Sequence, residues 1–144
     1  MAGVVKVGKF GGNGGGAFDM GAATRLTDIK IRHGAAIDAI QIKYEVDGKI
    51  KWSPQYGGNG GVLAEIDLKD GEFLTSISGY YGSFGNIIVV RSLSFGTNLN
   101  STYGPYGVQQ GTPFSIPLQA GKIVGFFGRS GALVDAIGVY LGAN

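Results

Sequence analysis

Gly34-Ala-Ala-Ile-Asp-Ala-Ile40 returns near the end of the chain as Gly131-Ala-Leu-Val-Asp-Ala-Ile137. Gly11-Gly-Asn-Gly-Gly15 likewise returns as Gly57-Gly-Asn-Gly-Gly61. The two glycine stretches lie 46 residues apart and the two aspartates, Asp38 and Asp135, lie 97 apart. Both spacings fit a unit of about 48 residues, and self-similarity at a fixed period is the signature of a repeat architecture. Three such units fill the 144 residues. The middle copy is worn: Gly82-Ser-Phe-Gly-Asn86 runs into Ile87 and Ile88, with Gly104-Pro-Tyr-Gly107 as its glycine loop. On this count Asn86 stands where the other two copies carry an aspartate.

The chain is expected to form one domain, residues 1–144, and its 44% hydrophobic content suffices for a real core. Charged residues make up only 15%, which argues against disorder. Glycine is the outlier, at 28 residues, well above the usual share. It falls at turns between apolar runs, without the periodicity of collagen.

A net charge of +2, spread over scattered lysines and arginines, gives no nucleic-acid groove. There is no cysteine, hence no disulfide framework. The N-terminal Met-Ala-Gly-Val-Val-Lys-Val-Gly-Lys lacks the apolar core of a signal peptide, and no apolar run is long enough for a membrane helix. A soluble, cytoplasmic protein without membrane insertion is the expectation. The sequon Asn100-Ser101-Thr102 would matter only on a secretory route.

Apolar or β-branched runs bounded by Gly, Asn, Asp and Pro recur along the whole chain, an all-β pattern. The expected strands are Val4–Val7, Thr24–Arg32, Ile37–Tyr44, Lys49–Trp52, Val62–Asp67, Phe73–Tyr81, Ile87–Ser94, Thr112–Pro117, Lys122–Arg129 and Val134–Leu141. Asp47-Gly48 reads as a two-residue hairpin turn, and Asp70-Gly71 reads similarly. No segment longer than ten residues holds an apolar helical period, so helices are expected to be few or absent. Three β units that must cover one another's apolar faces suggest three sheets around a pseudo-three-fold axis. On periodicity alone this prism and a two-sheet sandwich stand nearly level.

Within a unit each acid precedes its glycine loop, so Asp135 finds its partner only at the start of the chain. Three loop pairs follow: 131–135 with 11–15, 34–38 with 57–61, and 82–86 with 104–107. The N-terminal strand would then join the sheet of the C-terminal strands. A carboxylate accepts hydrogen bonds from two donors at once, and glycine loops expose backbone N–H groups. A ligand that donates and accepts at neighbouring positions is a polyol, which points to sugar. Each Asp taken alone reads better as satisfying its own turn; its recurrence in equivalent loops favours binding.

Phe10-Gly-Gly-Asn-Gly-Gly15, Tyr103-Gly-Pro-Tyr-Gly107, Gly111-Thr-Pro-Phe-Ser-Ile-Pro117 and Gly125-Phe-Phe-Gly-Arg-Ser-Gly-Ala-Leu-Val-Asp-Ala-Ile-Gly-Val-Tyr140 closely resemble the jacalin-related plant lectins, above all their mannose-binding members. The resemblance spans essentially the whole chain. It implies a type I β-prism of three four-stranded antiparallel sheets. It also implies that the Asp and two amides of the Gly-x-x-x-Asp loop bind the sugar 4- and 6-hydroxyls, while a glycine-loop amide reaches the 3-hydroxyl. Carried onto matching positions, the first site is Gly15, Ala132, Leu133 and Asp135, and the second is Gly61, Ala35, Ala36 and Asp38. The chain runs unbroken through Gly14-Gly-Gly-Ala17, unlike the cleaved galactose-binding relatives, so mannose- and glucose-containing glycans are the implied partners. A homodimer or higher homo-oligomer is implied as well.

The third loop pair departs from the pattern through Asn86 and Pro105, so no third strong site is expected. Nearby Tyr80, Tyr81 and Phe84 are expected to serve packing or partner contact more than sugar stacking. Catalysis is not expected. The single His33 lacks partners at metal-ligand or triad spacing, and Asp38 and Asp135 fall in different loop pairs, whereas glycosidases pair their carboxylates. Glu45, Glu65 and Glu72 read as surface residues. No cofactor or metal is expected, because no acid cluster could supply calcium's oxygens. A storage, structural or protein-interaction role on the same fold is the alternative.

Overall fold

The computed structural model describes residues 3–118 and 120–143. Its elements, in chain order, are β1 (Val5–Gly11), β2 (Gly16–Asp19), β3 (Arg25–His33), β4 (Ile37–Val46), β5 (Lys49–Trp52), β6 (Tyr56–Gly57) and β7 (Val62–Asp67). They continue with β8 (Leu74–Phe84), β9 (Ile87–Thr97), β10 (Thr102–Gly107), β11 (Thr112–Pro117), β12 (Lys122–Ser130) and β13 (Val134–Gly142). The described residues contain no helix.

The strands form three antiparallel sheets, ordered β1-β13-β12-β2, β5-β4-β3-β7 and β10-β9-β8-β11. The second sheet gains a fifth member where the short β6 pairs with β4. Each sheet is built around a central hairpin: β12–β13, β3–β4 or β8–β9. As expected from the loop pairing, the N-terminal strands β1 and β2 flank the C-terminal hairpin in one sheet. Lys6 on β1, Asp19 on β2 and Tyr140 on β13 tie it across its outer face: Lys6 Nζ lies 3.1 Å from Asp19 Oδ2, and the Tyr140 hydroxyl donates to the same carboxylate at 2.7 and 2.8 Å.

Alternation explains which side chains meet. Successive residues of a strand point to opposite faces, so Ile29 and Ile31 of β3 and Ile40 and Ile42 of β4 face inward together, all fully buried. Leu93 and Phe95 of β9, Phe126 of β12 and Ile137 and Val139 of β13 come from the other two sheets into the same core. Phe95 and Phe126 meet edge to face at 6.2 Å across it, a geometry aromatic quadrupoles favour. Burying each such side chain is worth about 1.5–3 kcal/mol.

Two turns of similar sequence behave differently. Asp47-Gly48 joins β4 to β5 with φ of 53° and 76°, the two positive values a type I′ turn requires. Asp70-Gly71 instead lies between β7 and β8, which belong to different sheets. There the Glu72 N–H donates to Lys69 O at 2.9 Å and only Gly71 has positive φ. Glu72 corrects the surface expectation, since it is 5% exposed. Its carboxylate accepts from the Lys69 N–H at 2.9 Å and the Thr97 hydroxyl at 2.8 Å.

Candidate functional site

β13 begins immediately after the loop Gly131-Ala132-Leu133, and β4 after Gly34-Ala35-Ala36. Each loop closes on itself: the Gly131 N–H donates to Leu133 O at 2.9 Å, and the Gly34 N–H to Ala36 O at 3.0 Å. Asp135 and Asp38 follow on the adjoining strands. The glycine loops come alongside through β1 and β6, which pair Gly11 with Ala136 and Gly57 with Ala39. The Gly12 N–H then donates to Asp135 O and the Gly58 N–H to Asp38 O, both at 2.9 Å. Two of the three expected loop pairs are therefore assembled in the same way.

The carboxylates lie over the glycine loops. A Cβ built on Gly14 would stand 2.6 Å from Asp135 Oδ2, and one on Gly60 would stand 2.6 Å from Asp38 Oδ2. Only glycine leaves room for the acid at these two positions. Among the described residues no other side chain donates a hydrogen bond to either carboxylate, which leaves acceptor capacity for a ligand. Asp135 is 4% exposed and Asp38 is half-buried. Burial pushes the Asp135 carboxyl above its ordinary value, against the opposing pull of the Arg129 guanidinium and its own backbone N–H.

Arg129 and Arg32 belong to these sites, although neither stands out among scattered basic residues. Arg129 Nε donates to Gly14 O at 3.0 Å and Nη2 to Gly15 O at 2.8 Å. Arg32 Nε donates to Gly60 O at 3.1 Å and Nη2 to Gly61 O at 3.4 Å. Gly14 O shares a rigid peptide plane with the Gly15 N–H, as Gly60 O does with the Gly61 N–H. Each arginine therefore fixes the direction of an amide expected to donate to the ligand. The available signal is positional: both arginines stand two residues before the glycine that opens the loop.

The third pair needs correcting. β8 and β9 remain paired as far as Phe84 opposite Ile87, so Gly82–Phe84 is strand and Gly85-Asn86 only the tip of a hairpin. No open loop exists at 82–86. Gly104-Pro105 lies within β10, and it is Gly107 that pairs with Ser92, as Gly57 pairs with Ala39. The Val108 N–H donates to Arg91 O at 2.9 Å. Arg91, not Asn86, thus occupies the position of the two aspartates, and the third glycine loop is Gly107-Val-Gln-Gln-Gly111. A constant period misplaces it because the β8–β9 hairpin is longer than the others.

Gln110 stands where the other loops have Gly14 and Gly60, a position whose side chain would collide with an aspartate. The two exchanges are matched, since Arg91 Nη2 donates to Gln110 Oε1 at 3.2 Å. The remaining aromatic residues divide. Tyr81 packs on the core beside Phe114, with ring centroids 6.3 Å apart, and Phe84 is exposed with the Arg91 guanidinium 5.3 Å from its ring. Tyr80 borders a groove of about 390 Å³ on the outer face of the third sheet. His33 accepts from the Gly107 N–H through Nδ1 at 3.2 Å.

The loop pairs touch in a ring. A Cβ on Gly12 would lie 2.3 Å from Ile88 O and one on Gly58 2.5 Å from Ala132 O, while Arg91 Nε donates to Ala35 O at 3.1 Å. Three sheets around one core, with carboxylate-and-glycine loop pairs gathered in this ring, define a β-prism lectin rather than an enzyme. The chain belongs to the jacalin-like lectin domain family, whose model matches residues 7–140.

The structure is similar to a mannose binding jacalin related lectin from Ananas comosus, with 49% identity over 99% of this chain and 100% of that one and a TM-score of 0.95. A mannose-specific jacalin-related lectin from Morus nigra, solved in complex with mannose, is 44% identical over 99% of this chain and 96% of that one, with a TM-score of 0.91. Jacalin-related lectin 3 of Arabidopsis thaliana is 44% identical over 93% of this chain, which spans only 23% of that relative's length.

Proposed function

We propose that this lectin binds mannose- and glucose-type sugars at two sites per chain without a metal ion. The observation that carries the reading is the duplicated carboxylate, Asp135 over Gly14-Gly15 and Asp38 over Gly60-Gly61, each beside a short self-closed loop, Gly131-Ala132-Leu133 or Gly34-Ala35-Ala36. At the first site Asp135 accepts from the sugar 4- and 6-hydroxyls, the Ala132 and Leu133 N–H groups donate to the same edge, and the Gly15 N–H meets the 3-hydroxyl. Asp38, Ala35, Ala36 and Gly61 play these parts at the second. An equatorial 4-hydroxyl suits this arrangement, and relatives described as mannose binding support the choice of sugar. The Arg91–Gln110 pair leaves the third position without a carboxylate acceptor, so no third site is proposed.

A handful of hydrogen bonds on an open surface gives a dissociation constant on the order of millimolar, roughly −4 kcal/mol. Joining sites on one particle raises avidity by roughly 10²–10⁴. A symmetric dimer, proposed here as the working assembly, would present four sites and crosslink glycans. Calorimetry with methyl α-mannoside and methyl α-galactoside in EDTA tests the reading, on the parent chain and on Asp38→Asn and Asp135→Asn. Two mannoside sites, one lost in each variant, support it. No heat under conditions sensitive to millimolar binding moves a structural or protein-partner role to the front.

A further inference from the structure

The position without a carboxylate in the third unit has a different use. Arg91 replaces the aspartate there, and its half-buried guanidinium is engaged by three acceptors. Nη1 donates to Ser83 O at 2.8 Å, Nη2 to Gln110 Oε1 at 3.2 Å, and Nε reaches across to Ala35 O at 3.1 Å. Ser83 belongs to the β8–β9 hairpin, Gln110 to the third glycine loop, and Ala35 to the second sugar loop. One side chain therefore clamps three segments, of which only the last is part of a proposed site.

The Ala35 carbonyl and the Ala36 N–H are two ends of one planar peptide. A cation on the carbonyl fixes the plane and draws electron density from the amide, which makes the Ala36 N–H a better-aligned and stronger donor. Arg32 and Arg129 do the same for the Gly61 and Gly15 amides. The first site lacks a counterpart to Arg91: Ala132 O, the carbonyl that shares a peptide with the Leu133 N–H, lies against the backbone of Gly58 instead.

We infer that Arg91 is a positioning residue of the second sugar site, holding the Ala35–Ala36 peptide so that the Ala36 N–H is aimed at the bound sugar. The inference rests on the two-site reading above. It makes the two sites unequal by construction, with the second dependent on a residue from the neighbouring unit and the first independent of it. A charge-assisted hydrogen bond lost behind one donor weakens sugar binding by about three- to ten-fold.

The test isolates the second site in an Asp135→Asn background and titrates methyl α-mannoside into the full chain. Arg91→Met is expected to weaken binding three- to ten-fold and Arg91→Lys to recover part of the loss, because an ammonium still reaches a carbonyl but without the fork. Gln110→Ala removes a different arm of the clamp and should leave affinity within two-fold. In an Asp38→Asn background, where only the first site is read, Arg91→Met should change nothing. Without sugar, the Ala36 amide proton should shift and exchange faster in Arg91→Met, while the melting temperature shows that the variant is folded. Unchanged second-site affinity, or equal losses at both sites, overturns the role of Arg91 alone. An Asp135→Asn protein that binds no mannoside with Arg91 intact overturns the two-site reading, and with it this role.

Discussion

Replacing Gly58 by alanine should damage the site to which Gly58 does not belong. Gly58 lies in the glycine loop of the second site, yet its added Cβ would fall 2.5 Å from Ala132 O, 3.2 Å from Ala132 C and 3.3 Å from Ala132 Cα. All three are backbone atoms, so no rotamer relieves the overlap. Non-bonded carbon and oxygen settle at about 3.3 Å or more, so the loops must part by roughly 0.8 Å. Ala132 and Leu133 carry the two amide donors proposed for the first site. Each hydrogen bond is worth about 0.5–1.5 kcal/mol net, so misaligning both costs about 1–3 kcal/mol, or roughly 5- to 150-fold in affinity. Calorimetry with methyl α-mannoside in an Asp38→Asn background reads the first site alone and should show this loss. The same substitution in an Asp135→Asn background should cost less, because the contact of Gly58 with its own site is a backbone hydrogen bond to Asp38 O that alanine retains. Unchanged first-site affinity in a folded Gly58→Ala protein would refute the steric reasoning.

Acidification should silence the first site from above the ordinary carboxylate range, because burial raises the Asp135 pKa and the protonated acid loses acceptor capacity. Mannoside titrations against pH in the Asp38→Asn background check this. Folding should respond with the opposite sign: the ionised Asp135 costs stability above its folded pKa, and that cost is relieved as pH falls through it. Glu72 behaves conversely. The Lys69 N–H and the Thr97 hydroxyl hold its carboxyl below the usual value, so its contribution is present above the unfolded pKa and lost as pH falls through the folded one. Glu72→Ala should cost about 1–3 kcal/mol in urea denaturation at neutral pH by leaving buried donors unmet. Phe95→Ala, which empties the contact with Phe126 at the meeting of two sheets, should cost about 3–5 kcal/mol in the same assay.

Both intact loop pairs were legible because they rest on repeated residues whose chemistry is local, whereas the repeat alone left the β-prism level with a sandwich and the family resemblance decided it. Asp38 and Asp135 sit at the same step of a strand; Asp47-Gly48 forms the hairpin turn its sequence suggests, whereas the same dipeptide at 70–71 does not, because the strands it joins belong to different sheets. Three strands were not legible. β2, β6 and β10 are short or broken by glycine and proline, and they exist because a neighbouring strand offers a pairing edge. Arg32 and Arg129 were hidden by their type, since arginine on a strand reads as solvated surface until the partner carbonyls are seen. Arg91 was hidden by arithmetic: hairpin length varies without disturbing the sheet below, so counting residues located the wrong member of the third unit. Glu72 looked exposed because one of its donors, the Thr97 hydroxyl, comes from β9, 25 residues away, and its own segment does not announce that contact.

The two proposed sugar sites also differ in when they can exist. Every residue proposed to touch sugar at the second lies between Ala35 and Gly61, whereas those of the first join Gly15 to Ala132, Leu133 and Asp135 across nearly the whole chain. β1 and β2 find their partners only in β12 and β13. During synthesis the N-terminal strands must therefore wait unpaired until the last hairpin emerges. On the two-site proposal, a growing chain can form the second pair of loops once Arg91 has emerged, but it becomes bivalent only at the step that closes the first sheet.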